Sequence, residues 1–222
     1  MRVQFGILAA VAAALLVPQA AEAASLAPLG ACYRSLDSEK RETVPVWGMD
    51  FTPGEHVDVY VDGELAQEDV TVLADGTVRG EVRAPYQPSG ERGFTIVVAE
   101  DGQPSNTATA TSRVTALALR LKPQRAASSR RVRFIGSGFT DGPMVYAHYV
   151  RKGKHRKTVE LGAPQGPCGR ISAKRRQIPV KRPALGRWTL QVDNQPTYSA
   201  EPVSVFVRLA ITVRRVARIG GY

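Results

Sequence analysis

The chain carries the same short pattern of glycine, phenylalanine and valine twice. GMDFTPGEHVDVYV begins at Gly48, and GSGFTDGPMVYAHYV begins at Gly136, an offset of 88 residues. Further along, the segment 94–98 matches the segment 188–192 at an offset of 94 residues. Two constant offsets separated by one insertion predict two copies of one fold rather than a single long domain.

Strand patterns dominate after the first 23 residues, and helical patterns are missing. In the first copy the valines at 57, 59 and 61 alternate with polar residues, which is typical of a half-buried strand. The segment 203–213 keeps the same period of two and predicts one long final strand. Asp75-Gly76 predicts a hairpin turn, because both residues tolerate positive φ. Short strands at this density, about seven in a hundred residues, predict a β-sandwich.

The first residues have the order of a secretory signal. Arg2 precedes the apolar run 5–17, and Ala21-Glu22-Ala23 provides small residues where a signal peptidase cleaves. The apolar run is shorter than the roughly 20 residues that a helix needs to cross a bilayer, and no later stretch is apolar enough to span one. We therefore predict a signal peptide at 1–23, a mature protein outside the cytoplasm, and two domains at 24–115 and 116–222.

The two copies differ sharply in charge. Residues 24–118 carry seven Lys and Arg against fifteen Asp and Glu, a net charge of −8, whereas residues 119–222 carry twenty-two against four, a net charge of +18. Such a division indicates either that the halves attract each other or that the basic half meets an anionic partner. The first domain is thus predicted to be acidic and the second strongly basic.

The repeated sequence segments resemble those of a known class of protein domains. GMDFTPGEHVDVYVDG, DGTVRGEVRAP and GFTIVVAED resemble the bacterial immunoglobulin-like repeats of secreted and surface-attached proteins, and FIGSGFTDGPMVYAHYV is similar to their IPT/TIG branch. The resemblance implies an all-β fold of two tandem immunoglobulin-like β-sandwich domains. It covers residues 28–213, and its motifs specify turns and cores rather than a functional site. We interpret Phe51 and Phe139 as core residues beside glycine turns.

The two cysteines, Cys32 and Cys168, lie in different halves. In an oxidising compartment they can pair and join the halves, and they can equally stay unpaired or bridge two molecules. A third interpretation takes LGAC, which ends at Cys32, as a lipobox that would attach a lipid to that cysteine. The apolar run ends well before Cys32, which favours cleavage after Ala23 instead.

Basic residues concentrate in two stretches of the second copy. We assign the six-residue insertion to the first stretch, a basic turn whose counterpart in the first copy is acidic. Arginine's planar fork suits phosphate and carboxylate groups, so both stretches are candidates for an anion-binding surface. The candidate residues are Arg151, Lys152, Lys154, Arg156, Lys157, Lys174, Arg175, Arg176, Lys181 and Arg182.

Motifs for catalysis are weak. The three histidines do not have the spacing of a metal site, and phosphate-binding and calcium-binding loops are missing, so we predict neither a metal nor a cofactor. Cys168, a histidine and Asp193 can be combined on paper into a Cys-His-Asp site, but GPCG lacks the residues that cell-wall transpeptidases place beside their cysteine. We therefore predict that the protein is not an enzyme.

The sequence favours a non-catalytic binding or adhesion module, secreted or attached to the cell surface. Its basic second domain would contact an anionic envelope polymer or lipid surface. One alternative is an assembly module in which the acidic domain of one molecule docks on the basic domain of another. A more remote alternative is a Cys-dependent wall enzyme. Nucleic acid is disfavoured as a partner, because the basic stretches lack the interleaved aromatic residues of a stacking platform.

Overall fold

The computed structural model describes residues 23–214, with residues 103–105 described by backbone alone. This part of the chain contains fifteen β-strands and no helix, which confirms the all-β prediction. The N-terminal half, residues 23–116, contains β1 (Ser25–Leu26), β2 (Tyr33–Ser35), β3 (Thr43–Met49), β4 (His56–Val61), β5 (Glu64–Thr71), β6 (Val78–Arg83), β7 (Glu91–Glu100) and β8 (Gln103–Ala116). The C-terminal half, residues 117–214, contains β9 (Ala118–Lys122), β10 (Arg131–Ser137), β11 (Val145–Arg151), β12 (Lys154–Gly162), β13 (Ile171–Arg176), β14 (Gly186–Asp193) and β15 (Val207–Val213).

Two sheets enclose the core of the N-terminal half. One has the order β1-β3-β6, and the other has the order β2-β8-β7-β4-β5. The pairings are antiparallel except that β2 runs parallel to β8. The valines at 57, 59 and 61 face the core while the residues between them are half-buried, so the predicted alternation of β4 is confirmed.

The C-terminal half repeats this arrangement with one strand fewer. Its sheets have the orders β13-β10-β9 and β12-β11-β14-β15, and all of their pairings are antiparallel. Large buried side chains fill a separate core between these sheets, among them Phe134, Phe139, Tyr149 and Trp188. No strand of residues 23–214 takes the place that β2 has beside β8, so the outer edge of β15 is unpaired within this range.

The repeated glycines are required by the packing of the repeated phenylalanines. A Cβ atom at Gly48 would lie 2.6 Å from Cε2 of Phe51, and one at Gly136 would lie 2.8 Å from Cε2 of Phe139. Both rings are buried, as the sequence predicted. The interpretation of the motif glycines as turn residues is confirmed for Gly54 and Gly138, whose φ values are 83° and 86°, and is wrong for Gly48 and Gly136, which have no positive φ. Gly48 and Gly136 instead allow the ring three residues later to lie directly against the backbone.

The turn at Asp75-Gly76 is present, but it does not join a hairpin. Leu73 N–H donates to Thr77 O at 2.9 Å, and Gly76 has a φ of 76°. The strands on either side, β5 and β6, belong to different sheets. The Asp-Gly pair predicts only the local turn. The burial of Val72 and Val78 in the common core directs the chain from one sheet to the other.

The final strand is shorter than predicted, because β15 begins only at Val207. The preceding segment, 194–206, crosses the outer face of the four-stranded sheet, where the carbonyl oxygens of Gln195 and Ser199 accept hydrogen bonds from His148 and Gln191. Val203 is 98% exposed and therefore contributes nothing to the core. These hydrogen bonds, rather than the apolar alternation, determine the course of residues 203–206, the first four residues of the predicted strand.

The insertion lies mostly where the sequence predicted it. The turns Asp62-Gly63 and Lys152-Gly153 are equivalent, since all four residues have positive φ, and they are 90 residues apart. Two of the six extra residues therefore lie in β11 after Tyr149. Two more lie in β12, because Val70 and Gly162, which pair with equivalent residues of β4 and β11, are 92 residues apart. Most of the insertion thus lengthens the hairpin beside the basic turn.

Covalent and polar contacts join the two halves. Cys32 and Cys168 form a disulfide across 136 residues of sequence, with their Cα atoms 5.2 Å apart. Arg34 forms an ion pair with Asp141, and Ser137 donates a hydrogen bond to Ala116 O at 2.7 Å. A lipid at Cys32 would need the same sulfur atom, so the disulfide and a lipid anchor exclude each other.

Candidate anion-binding surface

The outer face of the three-stranded sheet β13-β10-β9 carries cations in register. Arg133 lies opposite Lys174 on one side and Lys122 on the other, and Arg131 lies opposite Arg176. The intervening positions, such as Val132 and Phe134, face the core, so the cationic side chains point to solvent. We define the cationic face as Arg120, Lys122, Arg131, Arg133, Lys174 and Arg176.

Like charges directly opposite each other on neighbouring strands destabilise a sheet. The corresponding face of the N-terminal half avoids this arrangement, since its register places Thr43 opposite Arg83 and Pro45 opposite Glu81. The cationic face thus repeats the geometry of the N-terminal half but not its chemistry. The repulsion between the charges of such an array is relieved when an external anion lies across it.

The second basic group, the basic hairpin, is formed by the ends of β11 and β12. Its residues are Arg151, Lys152, Lys154, Arg156 and Lys157, and only Lys152 belongs to the two-residue turn itself. The other cations lie on strands, and β12 is the edge of its sheet. The equivalent hairpin of the N-terminal half contains Asp62, Glu64, Glu68 and Asp69 instead.

Two arginines join the basic hairpin to the rest of the basic surface. Arg175 on β13 donates from Nε to Glu160 O at 2.9 Å and from Nη2 to Leu161 O at 3.2 Å, both on β12. Arg151 donates to Leu185 O at 2.9 Å, which places the loop containing Lys181 and Arg182 beside the hairpin. The two stretches that were separate in the sequence therefore meet along one edge of the C-terminal sandwich.

The predicted cations have no acidic partners within the described residues. None of the ten forms an ion pair there, and neither do the other four members of the cationic face. Glu160 is the one acidic residue between positions 151 and 187. The acidic half does not neutralise this surface either. In the described part of the chain, its one ion pair with a cation of the basic half joins Glu91 to Arg170, 3.9 Å apart, and Arg170 is not one of these cations.

Sequence reasoning missed four members of the cationic face. Arg120 and Lys122 alternate with buried leucines on β9, and Arg131 and Arg133 alternate with buried apolar residues on β10. These alternations were visible in ALRLK and RVRF. The prediction considered only the two longest basic stretches and left out the short cluster RRVR at 130–133, and strand pairing is what brings these four residues onto one sheet with Lys174 and Arg176.

The polar cluster on the other sheet is buried. His148 Nε2 lies 3.1 Å from Asp193 Oδ1 and donates to Gln195 O at 3.0 Å, and its Nδ1 lies 2.9 Å from Thr158 Oγ1. Burial raises the pKa of Asp193, but the hydrogen bonds from His148, Gln191 and Gln195 outweigh this effect and leave the pKa below its usual range. The segment 194–206 covers this cluster.

The remote alternative of a Cys-dependent enzyme is contradicted by the structure. The sulfur atom of Cys168 is bonded to that of Cys32, so it provides no thiol for a nucleophile. His148 and Asp193 do meet, but their third partner is Thr158. Among residues 23–214, no three His, Cys, Asp or Glu side chains are grouped as metal ligands, and no helix is long and apolar enough to cross a membrane.

No protein-family model and no curated protein matches the chain. Among solved structures it is similar to a Ca²⁺-stabilised adhesin with which an Antarctic bacterium binds ice, at 17% identity and a TM-score of 0.36, covering 87% of this chain and 49% of that one. It is also similar to the adhesin InvE of Yersinia pseudotuberculosis, at 15% identity and a TM-score of 0.32, covering 86% and 58%.

A third similar structure is the SGBP-B protein of Bacteroides ovatus in complex with a mixed-linkage heptasaccharide, at 15% identity and a TM-score of 0.31, covering 89% of this chain and 47% of that one. The chain thus spans about half the length of these structures. At these scores the similarities carry no argument about ligand or activity, which must come from the surface itself.

Proposed function

We propose that this chain is an exported, non-catalytic binding protein of two tandem immunoglobulin-like domains, whose basic second domain holds a phosphate-bearing component of the cell envelope. Two separate hydrophobic cores, one in each half, support the division into two domains. The leader pattern at 1–23, which lies outside the described residues except for Ala23, supports export.

The observation that carries the proposal is the in-register array of unpaired cations on the cationic face. A structural role does not account for it, because side chains that only need solvation are normally mixed in sign across a sheet. Guanidinium groups bind phosphate through paired hydrogen bonds, and a flat array suits a ligand that presents many phosphates. The outward positions of these three strands include no aromatic side chain, which argues against stacked nucleobases.

Binding to two phosphate-bearing probes tests the proposal. One probe is vesicles of phosphatidylglycerol mixed into phosphatidylcholine, and the other is soluble poly(glycerol phosphate). We expect the mature protein to bind at least one of them and to lose binding as salt rises. The vesicle arm reports a lipid headgroup, and the polymer arm reports a wall polymer.

A matched pair of variants locates the binding. Arg131→Glu/Arg133→Glu reverses two charges on the cationic face, and we expect affinity to fall by at least about tenfold. Arg125→Glu/Arg214→Glu makes the same change in net charge elsewhere and should retain most of the affinity. Equal losses of affinity in the two variants would show that binding depends only on net charge, which would contradict binding at the cationic face.

The alternative of assembly between molecules has one specific observation in its favour. The acidic strand β5 and the basic strand β12 are both sheet edges, and neither is paired on its outer side within the described residues. Light scattering that shows salt-sensitive association, abolished by Lys154→Glu/Lys157→Glu, would support this function instead. A concentration-independent monomer mass would exclude it.

A further inference from the structure

A groove separates the edge strands β9 and β15 of the C-terminal half, where its two sheets do not close. Its volume is about 710 Å³. Apolar side chains that include Leu121, Leu209 and Val213 form its floor, and Arg120, Arg125 and Arg214 contribute its basic lining. The groove shares Arg120 with the cationic face, and no residue of the basic hairpin lines it.

The N-terminal half shows what covers this edge when the sandwich is closed. There β2 lies parallel to β8 and places Tyr33 opposite Val114, which is fully buried. Val213 is the equivalent of Val114. Val213 pairs with Gly186 on β14, Val114 pairs with Arg92 on β7, and Gly186 and Arg92 are related by the 94-residue offset. Val213 is only half-buried, because no described strand lies beside it.

We propose that this groove binds an extended segment of another polypeptide, in which apolar and acidic side chains alternate, as an added strand parallel to β15. An unpaired strand edge offers a row of backbone N–H and C=O groups that an incoming strand can satisfy. Apolar side chains of the ligand would cover Leu209 and Val213, as Tyr33 covers Val114. Acidic side chains would face Arg125 and Arg214.

Charge favours this ligand over two segments that the protein itself could place in the groove, namely the residues after Arg214 and the β15 strand of a second copy. The chain continues beyond Arg214 as RVARIGGY, which contains two arginines and no acid. The β15 strand of a second copy carries Arg208 and is followed by Arg214. Both would bring like charges to a basic groove, whereas an acidic segment is complementary to it.

The probe for this proposal is a synthetic eight-residue peptide in which valine alternates with glutamate, titrated into the mature protein labelled with ¹⁵N. We expect chemical-shift changes confined to β9, β15 and the loop 123–130. A peptide with lysine in place of glutamate should bind at least tenfold more weakly. A glutamate peptide methylated on alternate backbone nitrogens, so that it cannot pair along one edge, should also lose binding.

Two variants with the same change in net charge separate this site from the proposed function. Arg125→Glu/Arg214→Glu should weaken the peptide at least tenfold and leave phosphate-probe binding largely intact. Arg131→Glu/Arg133→Glu should do the reverse. Failure of peptide binding with intact phosphate binding would therefore overturn the groove proposal alone.

Other outcomes would also overturn it. Equal affinity for the lysine and methylated peptides would show that binding is not strand addition. Shifts at β5 or β12 would place the peptide at another edge. A dimer that produces the same shifts without peptide would identify a second copy as the occupant, and much tighter peptide binding by a chain ending at Arg214 would identify the chain's own last residues.

Discussion

Arg175 on β13 spans the gap between the two sheets of the C-terminal half and donates its Nε hydrogen to Glu160 O on β12, 2.9 Å away. A second hydrogen bond from the same guanidinium reaches Leu161 O. The carbonyl groups of an edge strand are therefore partly satisfied by a side chain from the opposite sheet. This relationship holds the basic hairpin strand against the rest of the basic surface.

Arg175→Lys should lower the free energy of unfolding by about 1 kcal/mol, because lysine retains the charge but cannot bridge the two carbonyls. Urea denaturation of both proteins measures the change. Arg176→Lys is the matched control, because Arg176 is exposed and makes no side-chain hydrogen bond within residues 23–214, so its stability should match that of the wild type. Identical midpoints for all three proteins would contradict the bridge.

Gly136→Ala should destabilise the C-terminal half by at least about 1–3 kcal/mol, the usual cost of overpacking a core. The new Cβ would lie 2.8 Å from both the Phe139 ring and Ala118 O, and the carbonyl belongs to the backbone and cannot move freely. Thermal unfolding measures the loss. Gly93→Ala is the control, because its Cβ would meet only Ser112 O at 3.8 Å, and alanine is favoured over glycine inside a strand. A Gly136→Ala protein as stable as wild type would show that the glycine is not needed.

Cys32→Ser/Cys168→Ser should lower stability by about 2–5 kcal/mol, since the bond closes a long loop of the unfolded chain. Chemical denaturation with and without dithiothreitol measures this. The reductant should destabilise the wild type and leave the double variant unchanged. A reductant effect of the same size on both proteins would contradict the assignment. The intact mass of the wild type should be two hydrogens below that of the reduced chain.

Asp193 should make folding sensitive to acid. Its pKa is lowered in the folded state, so its contribution to stability is present above the ordinary aspartate pKa of about 3.9 and is lost as pH falls through the lower folded value. Asp193→Asn should be less stable than wild type at neutral pH and lose less stability below about pH 4. Any stability that the variant still loses as pH falls is attributed to other carboxyl groups whose pKa is lowered, such as those of Asp75 and Glu100. Parallel pH profiles of unfolding would contradict the prediction.

Lys152→Asn should stabilise the protein by roughly 0.5–1 kcal/mol, because Lys152 has a φ of 50°, which asparagine tolerates better than lysine. The equivalent turn in the N-terminal half uses Asp62 at a φ of 52°. Lys154→Asn removes the same charge at a strand position and serves as the control. Stabilisation of both variants alike would attribute the effect to charge repulsion rather than to backbone conformation.

The course of several elements could be predicted because short-range patterns specify them. The alternation in β4 and the buried phenylalanines of the repeat follow from period two and from apolar character alone. Where prediction was wrong, a long-range contact had overridden the pattern. Hydrogen bonds from His148 and Gln191 draw the segment 194–206 over the sheet, although its valines alternate like those of a strand.

The candidate surface was predictable only in part for the same reason. Ten of its cations stand in two runs, and a run is visible without any structure. Arg131 and Arg133 stand in a shorter run with Arg130 that the prediction did not include, and the register places them on the surface opposite Arg176 and Lys174.

By itself the sequence determined that the chain is all-β, that one pattern is used twice, and that the second use is strongly basic. These are properties of composition and of local period, which do not depend on which strands pair. Only the tertiary structure decided that Lys122, Arg133 and Lys174 stand side by side on one sheet and that, among residues 23–214, β15 has no neighbour equivalent to the β2 strand beside β8. Strand register and edge closure depend on contacts between distant segments, and no local pattern encodes them.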